Sequence, residues 1–249
     1  TSDTIKKYED QHYKLVSDST KGQDLIFDHD DDADQTYEVH FVHGKHAIDQ
    51  TTSPKQTIHY VYADGLARQG KAADDNVQQL SFKRDGYNDE VTGVDHWNAW
   101  TPANSQYEAV DSPVIQGYTP DELVVEKSTV NPTDKDIEIT VTYNADKQAA
   151  KITYIDDTTG KTLTHDDFSG RTNEHEDYTP IDRIQEFENK VYELVSNDYP
   201  DGGFNFDDND QQDQVFNVHF KHGTTTVTPD NPGHPGEPVD PKNSEGPKY

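Results

Sequence analysis

The chain repeats itself. Sliding the sequence by 179 residues lays Tyr13-Lys14-Leu15-Val16-Ser17 over Tyr192-Glu193-Leu194-Val195-Ser196, and Phe27-Asp28 over Phe206-Asp207. It also lays Val39-His40-Phe41 and His43-Gly44 over Val218-His219-Phe220 and His222-Gly223. No gap is needed. From Tyr13 to Gly44, 14 of 32 columns are identical, where average residue frequencies give about two or three by chance. Upstream, Asp3, Ile5 and Glu9 match Asp182, Ile184 and Glu188. Repetition at a fixed period means tandem modules, each with its own small core, rather than one large globule.

The repeat sets the expected division. Residues 1–44 are the C-terminal part of one module copy, 45–148 a first repeat module, 149–223 a second module, and 224–249 a linker. The segment Ala150 to Thr179 has no counterpart ahead of residue 1, so the first copy is expected to be the least stable part. Packing on the next module is the expected way for it to order. There is no Met, even at position 1, so the chain is expected to be an excised piece whose signal peptide or wall anchor lies outside it.

Composition narrows the function. With 49 Asp and Glu against 21 Lys and Arg, the net charge is −28. Such a chain repels nucleic-acid phosphates and anionic lipid surfaces. No apolar run approaches the ~20 residues of a membrane span, so no membrane insertion is expected. Hydrophobic residues make up 30%, below the roughly 45–50% of ordinary domains, a figure that includes Gly. The cores should therefore be thin. The chain has no Cys, which removes disulfides, thiolate metal sites and Cys nucleophiles together.

Alternation of apolar residues gives the coarse structure. Ile58, Tyr60 and Tyr62 precede Asp64-Gly65, a strand and a turn. Ile152 and Tyr154 repeat the pattern before Thr159-Gly160 and a return strand near 162–164. Strands are also expected at 77–83, 107–110, 122–130, 137–143, 192–196 and 214–221. One helix is expected from Ile181 to Lys190, after Pro180 in its first turn, with a copy from Ser2 to Gln11. In the tail, Pro229, Pro232, Pro235, Pro238 and Pro241 recur every third residue, the period of polyproline II, so a semi-rigid spacer is expected.

Several strings carry a family resemblance. The second module has Ile152-Thr153-Tyr154-Ile155-Asp156, Gly160-Lys161, Ser169-Gly170, Tyr178-Thr179-Pro180 and Tyr192-Glu193-Leu194-Val195-Ser196, then an acidic stretch before its last strand. This resembles the MucBP (mucin-binding protein) module of Gram-positive adhesins. The first module has Ser112-Pro113-Val114-Ile115-Gln116-Gly117-Tyr118-Thr119-Pro120-Asp121 and closes on Val141-Thr142-Tyr143. It resembles the partner module in the mucus-binding protein (Mub) repeats of lactobacilli. Asp201-Gly202-Gly203 departs from the upstream copy, which lacks that Gly pair. The expected class is thus mainly β, or α+β, built of tandem elongated modules of β-grasp (ubiquitin-like) type with little helix. The resemblance implies an extracellular, cell-wall-anchored bacterial surface protein. Its partners would be mucin glycoproteins, with immunoglobulins as a second class associated with the first module. Each repeat would be a monomeric link in a longer chain.

Candidate sites are few. Asp95-His96-Trp97-Asn98-Ala99-Trp100 holds both tryptophans of the chain. His96, Trp97, Asn98 and Trp100 are suited to stacking on sugars or anchoring a protein, although either indole could instead fill a thin core. Asp28, Asp31 and Asp34 align with Asp207, Asp210 and Asp213, acidic in both copies. These oxygens could hold calcium, but neither loop has the Gly and Glu of an EF-hand, and a solvated turn that blocks edge pairing is the leading reading. No cofactor is required. His40 and His43, like His219 and His222, are three apart on a strand and face opposite ways. Gly160-Lys161-Thr162 lacks the earlier glycine of a phosphate loop and reads as a turn. No nucleophile elbow or zincin motif occurs, so no enzyme is expected.

The expected role is an adhesin repeat that binds mucin glycans, sialylated ones foremost, by many weak contacts. A stalk spacer without a ligand and a dedicated immunoglobulin-binding module are the rivals. Mucin is anionic and so is this chain, so long-range charge opposes their encounter. Raising salt from low to moderate is expected to leave mucin binding undiminished in an immobilised-mucin isotherm, and a steep loss would contradict the reading. Binding should strengthen near pH 4–5, as carboxylates and the 12 His lose net negative charge. A flat profile from pH 7 to 4.5 would count against it.

Overall fold

The structure, a computed structural model, describes residues 2–30, 32–230 and 232–249. Its elements run α1 (Ser2–Glu9), β1 (Tyr13–Asp18), β2 (Val39–His43), β3 (Lys45–Thr52), β4 (Lys55–Tyr62), β5 (Lys71–Gln79), β6 (Phe82–Asp89), β7 (Asp95–Trp97) and β8 (Ser105–Tyr107). They continue with β9 (Val110–Asp111), β10 (Tyr118–Pro120), β11 (Val124–Val125), β12 (Ser128–Val130), β13 (Ile137–Ala145), β14 (Lys147–Asp156) and β15 (Lys161–Arg171). The last are β16 (His175–Glu176), α2 (Ile181–Glu188), β17 (Tyr192–Asn197), β18 (Phe204–Asn205) and β19 (Gln214–His222). The protein is mostly β, as its alternation predicts, and among the described residues only the two expected helices form. Neither is long and apolar enough to cross a membrane.

The chain divides into two compact units, one of residues 1–57, 77–109 and 126–138, the other of 58–76, 110–125 and 139–249. The 45–148 segment therefore builds two cores where the sequence suggested one module. Phe82, Tyr107 and Val130 form the core in the first unit. Ile58, Tyr60, Tyr118, Val125, Val141 and Tyr143 form one in the second.

The largest core belongs to the second unit. Its sheet runs β15-β14-β19-β17. β14 pairs antiparallel with β15 and parallel with β19, and β19 pairs antiparallel with β17. Alternation along β14 turns Ala150, Ile152 and Tyr154 inward. They meet Val218 and Phe220 from β19, Phe187 from α2, and the rings of Tyr192, Tyr199, Phe204 and Phe206. At Gly170 any side chain would collide with the Phe206 ring, which is why this strand needs glycine there. Tyr154 brings a hydroxyl into the core, and it must find a partner. It donates to Asp166 at 2.9 Å, as does Tyr178 at 2.9 Å, and Arg183 completes the set at 3.1 Å.

The first copy repeats the second in detail. His12 and Val191, 179 residues apart, both have positive φ, 67° and 66°. β1–β2 and β17–β19 carry the same register shift, between Leu15 and Ser17 and between Leu194 and Ser196. Gly44 N–H donates to the His12 carbonyl and Gly223 N–H to the Val191 carbonyl, both at 2.8 Å.

Two expectations change. The strand expected at 77–83 is the end of β5 and the start of β6, broken at Leu80, whose N–H donates to the Pro54 carbonyl at 3.1 Å. The tail is not a polyproline rod at its end. Val239 N–H donates to the Pro247 carbonyl and Tyr249 N–H to the Glu237 carbonyl, both at 2.9 Å, so the chain doubles back. Asn243 donates to the Tyr192 hydroxyl at 2.7 Å, and Lys161 pairs with Glu245. Proline spacing suggested a rod, but Gly236 at φ +87° interrupts it.

Acid stability follows from the buried carboxylates. Burial alone would raise Asp156 and Asp166 above 3.8. The Thr159 hydroxyl, His222 and the Thr158 N–H outweigh that for Asp156, and Tyr154, Tyr178 and Arg183 for Asp166, so both are lowered. A depressed carboxylate contributes stability that is present above its unfolded value and lost as pH falls through its folded one. The fold is therefore expected to survive pH 4.5 and to lose stability below about pH 4. Asp166→Asn should cost roughly 1–3 kcal/mol at pH 7 in urea unfolding, with a smaller penalty near pH 3. An equal penalty at both pH values would refute this assignment.

Candidate functional site

The Trp97–Trp100 run lies in the first unit, on a three-stranded sheet of order β3-β6-β7. Gly86 sits opposite Trp97 in the β6–β7 pairing. A Cβ there would strike the His96 carbonyl, so only glycine lets β7 approach. Strand alternation then splits the run between two faces.

Trp97 shares its face with Arg84 and Gln50, which are paired across β3 and β6. The Arg84 guanidinium carbon lies 4.4 Å from the Trp97 ring centroid and 4.6 Å from that of Trp100. Arg84 therefore occupies aromatic surface that the sequence offered to a ligand, a cation–π contact of about 0.5–2 kcal/mol. Its Nε donates to Gln50 Oε1 at 2.8 Å, and its Nη2 uses the same oxygen. Trp100 also packs on the Phe82, Tyr107 and Val130 core. It thus fills core and borders solvent at once, both alternatives the sequence left open.

His96 and Asn98 lie on the other face. His96 stacks on Tyr87 at 4.8 Å and 20°, and Lys45 sits 4.0 Å from the centroid of the same Tyr87 ring. Asn98 is held by Asp85: its N–H donates to the Asp85 carbonyl at 2.9 Å and its side chain to Asp85 Oδ2 at 3.1 Å. These four residues are therefore not one surface.

Beside Trp100 opens a cleft of about 470 Å³. Gln50, Arg84 and Trp100 border it on one side, Asp134, Lys135 and Asp136 on the other. Asp134 takes the Asn131 N–H at 2.7 Å and Asp136 the Lys55 N–H at 2.9 Å, each through one oxygen. Among the described residues, the second oxygen of each carboxylate accepts no hydrogen bond. The lining has two cations, Arg84 and Lys135, and two anions, Asp134 and Asp136. Its local balance is neutral although the whole chain carries −28. Sequence reasoning missed Arg84, Gln50 and residues 134–136. Alternation along 82–89 marks which face Arg84 takes, but only the strand pairing shows what faces it.

The acidic loops look different. Among the described residues no group of three His, Asp or Glu is placed to hold a metal. Asp31 lies outside the described residues. Asp28 and Asp207 each accept the N–H two residues on, Asp30 at 3.1 Å and Asn209 at 3.2 Å, as turn-forming Asp does. Asp210 accepts from Gln148 at 2.5 Å. Nothing draws Asp34 or Asp213 into a common set with these.

Residues 45–147 match a family model described as a Muc B2-like domain, and residues 1–43 and 148–222 match one described as a mucin binding domain. Among solved structures, the chain is 34% identical to Mub-RV, covering 59% of this chain and 82% of that one with a TM-score of 0.51. It is 38% identical to the type 2 repeat of the mucus binding protein MUB from Lactobacillus reuteri, again over 59% and 82%, with a TM-score of 0.40. It is 30% identical to the mucin-binding domain of Spr1345 from Streptococcus pneumoniae, over 40% and 96%, with a TM-score of 0.36. Comparison with curated proteins gives no match. With both domain types in one chain, and more than four-fifths of Mub-RV covered at 34% identity, the protein belongs to the mucus-binding repeat family.

Proposed function

We propose that this chain is a non-catalytic adhesin repeat that binds mucin glycans in the cleft beside Arg84 and Trp100. The observation that carries the reading is the clasped guanidinium at the rim of a charge-balanced cleft. A sugar ring can lay its C–H face on an exposed part of the Trp100 indole. Its hydroxyls can bond Gln50 and the free oxygens of Asp134 and Asp136, while Arg84 and Lys135 offer donors to a sialic carboxylate or a sulfate. The names of the matched domains and relatives support mucin as the partner. The proposed setting is the outer surface of a bacterial cell wall, where many copies add weak contacts into firm adhesion.

The test is binding to immobilised mucin before and after sialidase. Trp100→Ala is expected to weaken binding roughly 2- to 10-fold, the loss of one stacking contact. Because Trp100 also packs on a core, Lys135→Glu is the companion variant. It lies at the exposed rim, should leave thermal unfolding unchanged, and should weaken binding to sialylated mucin more than to sialidase-treated mucin. Folded variants that bind as the parent does would refute the site. A parent isotherm that is flat on both mucins would instead favour the stalk spacer.

A further inference from the structure

The two copies of the repeat differ in how their last strand is flanked. β19 has a neighbour on each side, β17 and β14, whereas β2 has β1 alone. Residues that face β14 and β15 in the second copy are buried there and bare in the first. Phe187 is 8% exposed and Phe206 2%, while their counterparts Tyr8 and Phe27 are 40% and 83% exposed. The backbone of the first copy already has the bulge of the second, the same positive φ and the same closing hydrogen bond. What it lacks is the cover of a β-hairpin with inward Ile and Tyr at the places of Ile152 and Tyr154.

A histidine links this edge to the next segment. In the second copy, His222 Nε2 lies 2.9 Å from Asp156 Oδ2, at the end of β14. In the first copy, His43 uses the other ring nitrogen: Nδ1 lies 2.6 Å from Asp89 Oδ2, at the end of β6. Each ring meets a tyrosine edge-on, His222 with Tyr192 at 5.5 Å and 82°, and His43 with Tyr13 at 5.2 Å and 87°. In the second copy Nε2 is the nitrogen that meets Asp156, whereas His43 spends Nδ1 on Asp89 and, among the described residues, makes no hydrogen bond through Nε2. Asp89 is itself fixed, since its Oδ1 accepts the Val91 and Thr92 N–H groups at 3.0 Å each. The hydrogen bond from His43, with these backbone bonds, holds its carboxyl at about 2 against the cost of burial. The other charged groups at this corner are Glu90, whose carboxylate lies against Gly44, and Lys45, next in the chain.

We propose that the Val39–His43 edge is an acceptor for a β-hairpin of the Lys147–Arg171 type, and that His43 then holds two carboxylates at once. The hairpin's aspartate takes Nε2 and Asp89 takes Nδ1. A doubly protonated imidazole donates to both, which pins a completed mucin-binding module to the Muc B2-like segment that follows it. The partner is thus defined chemically: a hairpin that carries inward Ile and Tyr two residues apart and an Asp two residues beyond the Tyr. The second copy does not make this joint, because His222 leads into the folded-back tail instead of a β3-like strand.

The test uses the whole chain extended at its N-terminus with a second copy of residues 147–179. That places Thr179 directly before Thr1, in the register that Thr179 has with Pro180. Two such chains are compared with the parent, one unchanged and one with Asp156→Ala in the added copy only. Amide exchange at Val39–His43 is expected to slow at least ~10-fold in both extended chains. A slowly exchanging His43 Nε2–H signal is expected by NMR in the unchanged extension alone, with His222 as internal reference. Unaltered exchange at Val39–His43 would overturn the acceptor. Slowed exchange with the same His43 ring signal in both extended chains would overturn the pin.

Discussion

The parallel pairing of β14 with β19 is the contact on which the largest core of this protein depends. It runs from Ala150 opposite Gln214 to Asp156 opposite Phe220. It joins the β14–β15 hairpin to the β17–β19 pair, and so brings Ile152 and Tyr154 against Val218, Phe220 and Phe187. A chain with 30% hydrophobic residues has few such assemblies to draw on. It compensates with aromatic rings, which bury large area per residue, and with Tyr hydroxyls tied to a carboxylate. The first copy shows the same backbone without that pairing, and its rings stand open. Tertiary cover, not local propensity, separates the two.

Charge shapes where the protein can make contact. A surface at −28 gives anionic glycans no long-range attraction. Contact must then come from short-range hydrogen bonds and stacking in places where opposite charges balance. The cleft beside Trp100 is such a place. There Arg84 lies against both indoles and donates to Gln50 on the neighbouring strand. A guanidinium fixed in this way loses little freedom when it meets a carboxylate.

Much of the fold was legible in the sequence because the repeat was gap-free. The match of Tyr13–Gly44 to Tyr192–Gly223 anticipated shared backbone detail, and the positive φ at His12 and Val191 bears that out. The helix at Ile181 was marked by Pro180 and the spacing of Ile181, Ile184 and Phe187. β3 and most of β6 were not legible. Lys45–Thr52 is almost wholly polar and largely exposed, and its strand character comes from its partner across the sheet. Counting prolines in the tail overlooked the glycines between them. The tryptophan run stands out in the sequence because it holds both indoles. Its division between two faces, and the role of Arg84, depended on a strand pairing that no local pattern encodes.

The central claim is that mucin glycans meet this chain at the Arg84–Trp100 cleft. The chain has only two tryptophans, so its nitrogen-correlated NMR spectrum contains two indole N–H signals. Titration with sialylated O-glycans released from mucin tests the claim directly. The account predicts that the Trp100 indole, the Arg84 Nε–H and the amides of residues 134–136 shift together along one binding curve. Shifts confined to residues 148–222, or no shift at glycan concentrations that saturate immobilised mucin binding, would contradict it.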